Sequence, residues 1–248
     1  MNKKKLKIGL ITYRGNPSSG GQGIYINYLS RALSDLGHEV TVISGPPYPE
    51  IRKDIKLVKI PSLDLFSKKN KFFDVKFSKL LSLNNLKEWI SINTGGYPEP
   101  HTFGPRLEKF IEENADQFDV IHDNQTLCKE FISLQQKLPL VTTIHHPITK
   151  DLEFQLKSTN DFFLKLLIKR WHSFIPTQIK VAKKLKKIVV PSESSGKDVF
   201  KDFSLKKANI EVVHNGIDLS FFYPSDKPYE DYKICLLYTS PSPRDALT

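Results

Sequence analysis

The chain has 248 residues, of which 39% are hydrophobic and 26% are charged. This is enough for a packed core in one large domain or one and a half ordinary ones, and no apolar run approaches the ~18 residues that a membrane-spanning helix needs. The net charge of +10 predicts an anionic partner, whether phosphate, nucleic acid or a membrane surface. Cys128 and Cys235 form neither a disulfide framework nor a metal-binding pattern, which is typical of a reducing cytoplasm.

Apolar runs alternate with amphipathic stretches along the chain. The runs predict strands near 8–11, 39–43, 56–60, 118–123, 140–144, 187–191 and 210–213. The amphipathic stretches predict helices at about 22–36, 75–90, 105–114, 161–173 and 176–185. They also predict a helix that follows the strand at 118–123 and ends at Leu134, and another that begins after Ser192. Strands that alternate with helices form a parallel sheet covered on both faces, with right-handed connections. We therefore predict an α/β fold with a Rossmann-like, doubly wound parallel sheet.

The loop between the first strand and the first helix is rich in glycine. Pro17 ends the apolar run, and Gly20, Gly21 and Gly23 let the backbone approach whatever lies over the strand's carboxyl end. The helix that follows offers free N–H groups to an anion such as a phosphate. The third glycine of a dinucleotide fingerprint would fall at position 26, which is Ile26. The loop is therefore either a ligand site of another kind or a plain tight turn.

Polar residues also follow the later strands, at the edge where open α/β sheets bind ligands. His145 comes just past a strand, where an imidazole can donate a hydrogen bond to a sugar or a phosphate oxygen, or simply cap a loop. Asp123 and Asn124 follow another strand end and are candidates for contacting a ligand hydroxyl. We expect His122 to face the packed layer and His146 to be structural.

Two further polar pairs have mainly structural interpretations. Ser192 and Glu193 are typical of a helix N-cap followed by a carboxylate in the first turn, with a role in a cleft as the alternative. Asn215 and Gly216 are typical of a turn. The sequence contains no familiar metal-binding motif, so we predict no protein-held metal and no cofactor.

A basic stretch lies between Lys165 and Lys187, where lysines are interleaved with Phe162, Phe163 and Trp171. A pair of basic amphipathic helices can lie on anionic lipid. The alternative is a packed pair of helices with a solvated basic face. The first interpretation predicts a cytoplasmic protein with peripheral contact at the inner face of the membrane.

The last residues depart from the pattern of the rest. Residues 235–245 match one reading frame of a transposase adapter used in sequencing libraries, and 246–248 would then be index sequence. We expect 235–248 to be an adapter-derived artefact and the native chain to be interrupted near Ile234.

Several motifs, in order, resemble the N-terminal lobe of family 4 glycosyltransferases, the retaining enzymes of the GT-B fold. They are Gly20-Gly21, LSRALSDLGHEVTV at 29–42, FDVIHD at 118–123, VTTIH at 141–145, VPSE at 190–193 and HNGID at 214–218. The resemblance covers residues 7–224, which is nearly all of the native chain.

The resemblance implies an acceptor-binding lobe over 1–213, with 214–234 as the linker and the start of a donor-binding lobe that is missing. It implies transfer of a sugar from a nucleotide-sugar donor, as co-substrate, to a glycan or lipid-linked acceptor. His145 occupies the family's functional histidine position, and Gly20 and Gly21 would lie against the donor phosphates or the acceptor. Because the family's Glu-x7-Glu donor motif is missing, we expect the chain alone to be inactive.

Two alternatives stay open. One is a non-catalytic basic α/β domain that binds anions or nucleic acid, and the other is a different GT-B enzyme such as a nucleotide-sugar epimerase. We expect no nucleic-acid partner, because the lysines cluster with apolar residues rather than with base-stacking platforms.

Overall fold

The computed structural model describes residues 4–17, 21–205, 209–220 and 222–223. Within them a 7-stranded sheet has the order β3-β2-β1-β4-β5-β6-β7. Its strands are β1 (Lys7–Thr12), β2 (Glu39–Ser44), β3 (Lys56–Lys59), β4 (Val120–Asn124), β5 (Leu140–Thr143), β6 (Ile188–Val190) and β7 (Ile210–Val212). Every neighbouring pair is parallel. The predicted doubly wound parallel sheet is confirmed.

Helices connect the strands. They are α1 (Gly21–Asp35), α2 (Phe77–Leu80), α3 (Leu83–Asn93), α4 (Glu99–Glu113), α5 (Phe131–Lys137), α6 (Thr149–Lys157), α7 (Phe162–Trp171), α8 (Ile175–Ala182) and α9 (Glu193–Phe203). Ser192 caps α9 as predicted, since its hydroxyl accepts a hydrogen bond from the N–H of Ser195 at 3.1 Å.

The core lies on both faces of the sheet. Ile8 and Leu10 of β1 pack in one cluster with Ile26 of α1. Ile11 belongs to a second, larger cluster that includes Leu107 of α4. Successive side chains of a strand point to opposite faces of the sheet, so β1 is buried on both faces. The carboxyl end of β1 is the part of the strand that stays accessible.

The helices differ from the sequence prediction in three main places. The helix predicted near 75–90 is divided into α2 and α3. The start of α4 is at Glu99 rather than near 105, because Phe103, Leu107 and Ile111 form one buried stripe that extends the helix upstream of Pro105. No helix was predicted over α6, and none of its residues is buried, so packing against the core did not require an apolar stripe there.

The predicted linker and tail lie partly outside the described residues. Residues 224–248 are not described, so the boundaries at 213 and 234 and the adapter interpretation of 235–248 stay predictions. Within the described part of the chain, no helix is long and apolar enough to cross a membrane.

Candidate active site

The candidate site lies where the strand order reverses. β1 pairs with β2 on one side and with β4 on the other, so the loops that follow β1 and β4 diverge and leave a crevice at the strands' carboxyl ends. The predicted residues Gly21, Asn124 and His145 follow or end β1, β4 and β5. The sheet therefore brings them to one edge.

Two adjoining cavities form what we call the strand-end cleft. The inner cavity has a volume of about 220 Å³ and is lined in part by Gly21. The outer cavity has a volume of about 480 Å³ and extends to Trp171. Tyr13, Arg14 and Tyr97 line both cavities, so they form the shared wall of the cleft.

Aromatic rings dominate this wall. The ring centroid of Tyr97 lies 6.1 Å from that of Tyr13, 5.0 Å from Trp171 and 5.5 Å from Phe174. Burial raises the pKa of both tyrosines, so their hydroxyls stay neutral. The wall thus combines flat apolar surfaces with hydroxyl groups that donate and accept hydrogen bonds.

Arg14 brings a positive charge into the cleft. Its guanidinium lies 4.8 Å from the ring centroid of Phe66, and its Nη1 is 3.5 Å from Oε1 of Glu99. Burial raises the pKa of Glu99 to about 7, and its Oε2 has no hydrogen-bond partner among the described residues. Because Glu99 is only partly ionised near neutral pH, it neutralises the positive charge of Arg14 only in part. Arg14 can therefore still attract an anionic group of a ligand.

The glycine loop serves two purposes. Gly20 lies outside the described residues, so its predicted role stays a prediction. Gly21 starts α1 and has open space where a Cβ would project, whereas a Cβ on Gly23 would collide with the backbone carbonyl of Asn16. Gly23 therefore lets the helix start pack against the loop, and Gly21 leaves the cleft open.

His145 is held in a polar cluster beside the cleft and lines neither cavity. The ring of Tyr25, from α1, packs edge-on against the imidazole with 4.6 Å between centroids. The backbone N–H of His145 donates to Oε1 of Gln125 at 2.7 Å. Burial, with a smaller contribution from His146, lowers the pKa of His145 to about 4. The imidazole is therefore neutral near pH 7.

Asn124 determines which ring nitrogen of His145 carries the proton. Oδ1 of Asn124 lies 2.7 Å from Nε2 of His145, while Nδ2 of Asn124 donates to the backbone carbonyl of Gln22 at 3.4 Å. Since that carbonyl can only accept, the amide turns its oxygen to His145, and Nε2 must be the donor. Nδ1 is then an acceptor that receives no hydrogen bond from the described part of the chain. This arrangement suits a sugar hydroxyl, and the expected hydrogen bond from His145 to a sugar or a phosphate oxygen stays a prediction.

Asp123 lies beneath the cleft rather than facing it. Its side chain is fully buried, and its oxygens accept hydrogen bonds from the backbone N–H groups of Thr126 at 3.0 Å and Leu127 at 3.2 Å. Burial raises the pKa of this carboxyl to about 7. The predicted contact of Asp123 with a ligand hydroxyl is therefore corrected to a structural role in the loop after β4.

Further hydrogen bonds tie β4 to β5. His122 Nε2 lies 2.7 Å from the hydroxyl of Thr143, and Gln125 Nε2 donates to the carbonyl of His146 at 2.8 Å. We call the set of buried and half-buried polar residues at this edge the strand-end network: His122, Asp123, Asn124, Gln125, Thr143 and His145.

The remaining predicted residues lie elsewhere along the edge. Ser192 and Glu193 line neither cavity of the cleft, and their capping geometry supports the structural interpretation. Asn215 and Gly216 line a cavity of about 240 Å³ together with Gly21 and Tyr25, so the segment after β7 does reach the glycine loop.

Sequence reasoning missed most of the cleft wall. Tyr97 lies in a turn-rich segment without periodicity, and Trp171 was assigned only to the basic stretch. Arg14 carried a usable signal, because it is a cation just past the end of β1. His146, expected to be structural, is exposed, lines the outer cavity and approaches Oδ2 of Asp151 at 3.0 Å.

No group of three or more histidine, cysteine, aspartate or glutamate side chains that could hold a metal ion occurs in the ranges that the structure describes. Independence from a metal and from a cofactor stays a prediction.

Comparison with known proteins identifies relatives over most of the chain. The model of a family described as Glycosyltransferase Family 4 matches residues 19–221. The MMP alpha-(1->4)-mannosyltransferase of Mycolicibacterium hassiacum is 36% identical over 223 residues, which are 89% of this chain and 54% of that protein. This chain therefore spans about half the length of the curated relative that it matches.

Solved structures share the fold. Anabaena Alr3699/HepE, in complex with UDP and glucose, has a TM-score of 0.53 at 14% identity, over 89% of this chain and 47% of that one. Arabidopsis thaliana UGT89C1, complexed with UDP-L-rhamnose, has a TM-score of 0.50 at 13% identity, over 91% of this chain and 56% of that one. At these identities the likeness shows the fold alone.

Proposed function

The chain belongs to glycosyltransferase family 4, and from this premise we propose that it supplies the acceptor-binding lobe of a retaining enzyme. That enzyme transfers a sugar from a nucleotide-sugar donor to a glycan or lipid-linked acceptor. The observation that carries the proposal is the strand-end cleft, because an aromatic wall with a few polar groups is the kind of lining that binds small ligands in an oriented way. A second lobe, in the half of the relative that this chain does not span, would hold most of the donor.

The chemistry of transfer suggests a task for the groups in the cleft and for His145 beside it. Transfer places positive charge on the anomeric carbon and negative charge on the departing phosphate, so hydrogen-bond donors and cations are needed where the negative charge develops. The N–H groups at Gly21 and the guanidinium of Arg14 are suited to that anionic side. The neutral His145, with Nδ1 as an acceptor, is suited to a hydroxyl of the transferred sugar.

The cellular setting is part of the same proposal. We place the enzyme in the cytoplasm, with peripheral contact at an anionic membrane through the stretch between Lys165 and Lys187. Family membership favours glycosyl transfer over epimerisation and over a non-catalytic domain that binds anions or nucleic acid.

Acceptor binding is testable on this chain through tryptophan fluorescence. The chain has two tryptophans, so a Trp89→Phe variant leaves Trp171 as the single reporter in the cleft wall. We expect mannose-containing oligosaccharides to change its emission saturably, and a further Tyr97→Ala substitution to weaken that binding. Tight, salt-sensitive binding of oligonucleotides with no response to any saccharide would instead support the anion-binding alternative.

Transfer itself needs a longer protein that joins this chain to a second lobe. With a panel of nucleotide sugars that includes activated mannose, we expect turnover by that protein and none by the 248-residue chain alone. In the longer protein, His145→Ala should lower kcat by more than about ten-fold with a nearly unchanged Tm. A large fall in Tm would make His145 structural, and turnover by the chain alone would contradict the division into two lobes.

A further inference from the structure

The helix α7 exposes an unusual amount of apolar surface. None of its residues is buried. Phe163 is 75% exposed, Phe162 is 68% exposed, and Leu166 and Leu167 are each about half exposed. A helix that forms part of a stable domain normally buries one apolar stripe, so most of the apolar surface of α7 is left uncovered by the described part of the chain.

The neighbouring helix α8 behaves differently, although it belongs to the same basic stretch. Ile175, Gln178, Val181 and Ala182 are buried, and Val181 and Ala182 belong to the larger core cluster. α8 is thus a packed helix with a solvated basic face. The membrane interpretation of the whole stretch is therefore reduced to α7.

A second exposed apolar surface comes from a part of the chain that carried no such prediction. In the segment 72–83, which includes α2, Phe73 is 78% and Phe77 is 79% exposed, and Leu81 and Leu83 are almost as exposed. Phe72 is anchored beneath them, because its ring packs against Trp89 of α3 at 4.7 Å between centroids.

Side-chain contacts join the two surfaces into one flank. The guanidinium of Arg170, in α7, donates to the hydroxyl of Thr94 at 2.9 Å, just past the end of α3. The ring of Phe66 lies 6.0 Å from Trp171 at the end of α7, and Nζ of Lys71 lies 5.2 Å from the ring of Phe66. The segment that precedes α2 therefore meets the end of α7.

The charges on this flank have one predominant sign. Lysines are interleaved with the exposed rings, and none of them forms a salt bridge with a residue that the structure describes: Lys68, Lys69, Lys71, Lys76, Lys79, Lys165 and Lys169. Two copies of such a flank would repel each other, whereas an anionic lipid surface accepts both the lysines and the apolar side chains.

We propose that the flank is a docking face for an anionic lipid bilayer, with the exposed rings inserted at the level of the headgroups. The docking face consists of Phe72, Phe73, Phe77, Leu81, Leu83, Phe162, Phe163, Leu166 and Leu167. Its lysines contact anionic headgroups, and its aromatic and leucine side chains supply the apolar part of the binding.

The docking face also favours one class of acceptor, an inference that rests on the proposed function. Trp171 at the end of α7 and Phe154 of α6 both line the outer cavity of the strand-end cleft. Docking through α7 therefore brings this cavity close to the bilayer surface. A lipid-linked acceptor reaches such a cavity without leaving the membrane.

Vesicle binding by the 248-residue chain tests the docking face without any sugar transfer, so its failure is distinct from failure of the proposed function. We expect co-sedimentation with vesicles of equimolar phosphatidylglycerol and phosphatidylcholine at low salt, much weaker binding at high salt, and little binding to phosphatidylcholine alone. A double variant, Phe73→Ser with Phe163→Ser, should partition at least about ten-fold more weakly. Because both rings are exposed, the variant should keep its Tm.

Two matched variants complete the test. Phe200→Ser changes an exposed phenylalanine of α9, outside the docking face, and should bind like the wild type. Lys76→Glu with Lys165→Glu keeps the rings and should also weaken binding. The proposal is overturned by absent co-sedimentation, by equal binding to neutral vesicles, or by an unaffected Phe73/Phe163 variant. It is equally overturned if sedimentation velocity shows a dimer that this variant abolishes.

Discussion

Polar side chains are buried in the strand-end network, whereas apolar side chains are exposed on the docking face. Asp123, Asn124 and Thr143 have almost no accessible surface, while Phe73 and Phe163 have most of theirs. Both regions reverse the usual distribution of residue types between core and surface. Most polar atoms of the network are hydrogen-bonded, whereas most of the apolar surface of the docking face is left uncovered by the described residues.

This difference separates two kinds of functional feature. Buried polar groups are costly unless they are paired, so the network contributes to stability as well as to the site. Exposed apolar groups contribute little to the stability of the fold, but they lower solubility and favour association with other molecules. Substitutions in the two regions should therefore affect different measurements.

The largest expected effect on stability is that of Asp123→Ala. The change leaves the N–H groups of Thr126 and Leu127 without their acceptor in the interior, which should cost about 2–4 kcal/mol in the free energy of unfolding. Urea unfolding measures this loss. Asp123→Asn keeps one acceptor oxygen and should lose less, whereas a loss below about 0.5 kcal/mol for the alanine variant would contradict the loop-holding role.

The second effect is a pH dependence at His145. Its pKa in the folded state is about 4, below the ordinary value of 6.5, so between these pH values the unfolded chain binds a proton that the folded chain does not. His145 therefore makes the wild type more stable as the pH rises from 4 to 6.5. In unfolding curves, the stability of the wild type relative to His145→Ala should therefore fall as the pH falls through this range.

Most other groups cancel in this comparison because they are common to both proteins, and only the small contribution of His145 to the pKa of His122 is lost with the substitution. His122, whose pKa burial also lowers to about 4, acts in the same direction as His145. Asp123 and Glu99, whose pKa values burial raises to about 7, act in the opposite direction. A difference that stays constant with pH would show that His145 is solvated like a surface histidine.

The smallest expected effect on stability is that of Phe163→Ser on the docking face. Since the ring is 75% exposed, the free energy of unfolding should change by no more than about 0.5 kcal/mol. Thermal unfolding without lipid measures it, and Phe200→Ser, at a ring that is only 45% exposed, should lose more stability. A loss above about 1 kcal/mol would show that α7 packs against the domain and would remove the contrast between the two regions.

The sheet could be predicted from the sequence because its strands are short apolar runs bounded by turns. The predicted runs near 39–43 and 140–144 differ from β2 and β5 by a single residue at one end. Helices were harder where tertiary contacts decide their limits, since α4 extends upstream of a proline to complete a buried stripe. No helix was predicted over α6, none of whose residues is buried.

The site could be predicted only in part. His145 and Gly21 were chosen because they follow strand ends, and the structure places both at that edge of the sheet, while their functional roles stay predictions. The buried orientation of Asp123 and the hydrogen bond from His145 to Asn124 depend on loop geometry that composition does not encode. Tyr97 and Trp171 belong to distant segments, and only the folded chain brings their rings to 5.0 Å.

Trp171 is shared between the cleft wall and the end of α7, and this shared position has a kinetic consequence. A lobe held at a bilayer searches for a lipid-linked acceptor in two dimensions rather than three, which raises the effective concentration of that acceptor at the cavity. Encounter then depends on the surface density of the acceptor in the membrane rather than on its bulk concentration. By thermodynamic linkage, an acceptor bound in the cleft would strengthen the binding of the protein to the membrane to the same extent.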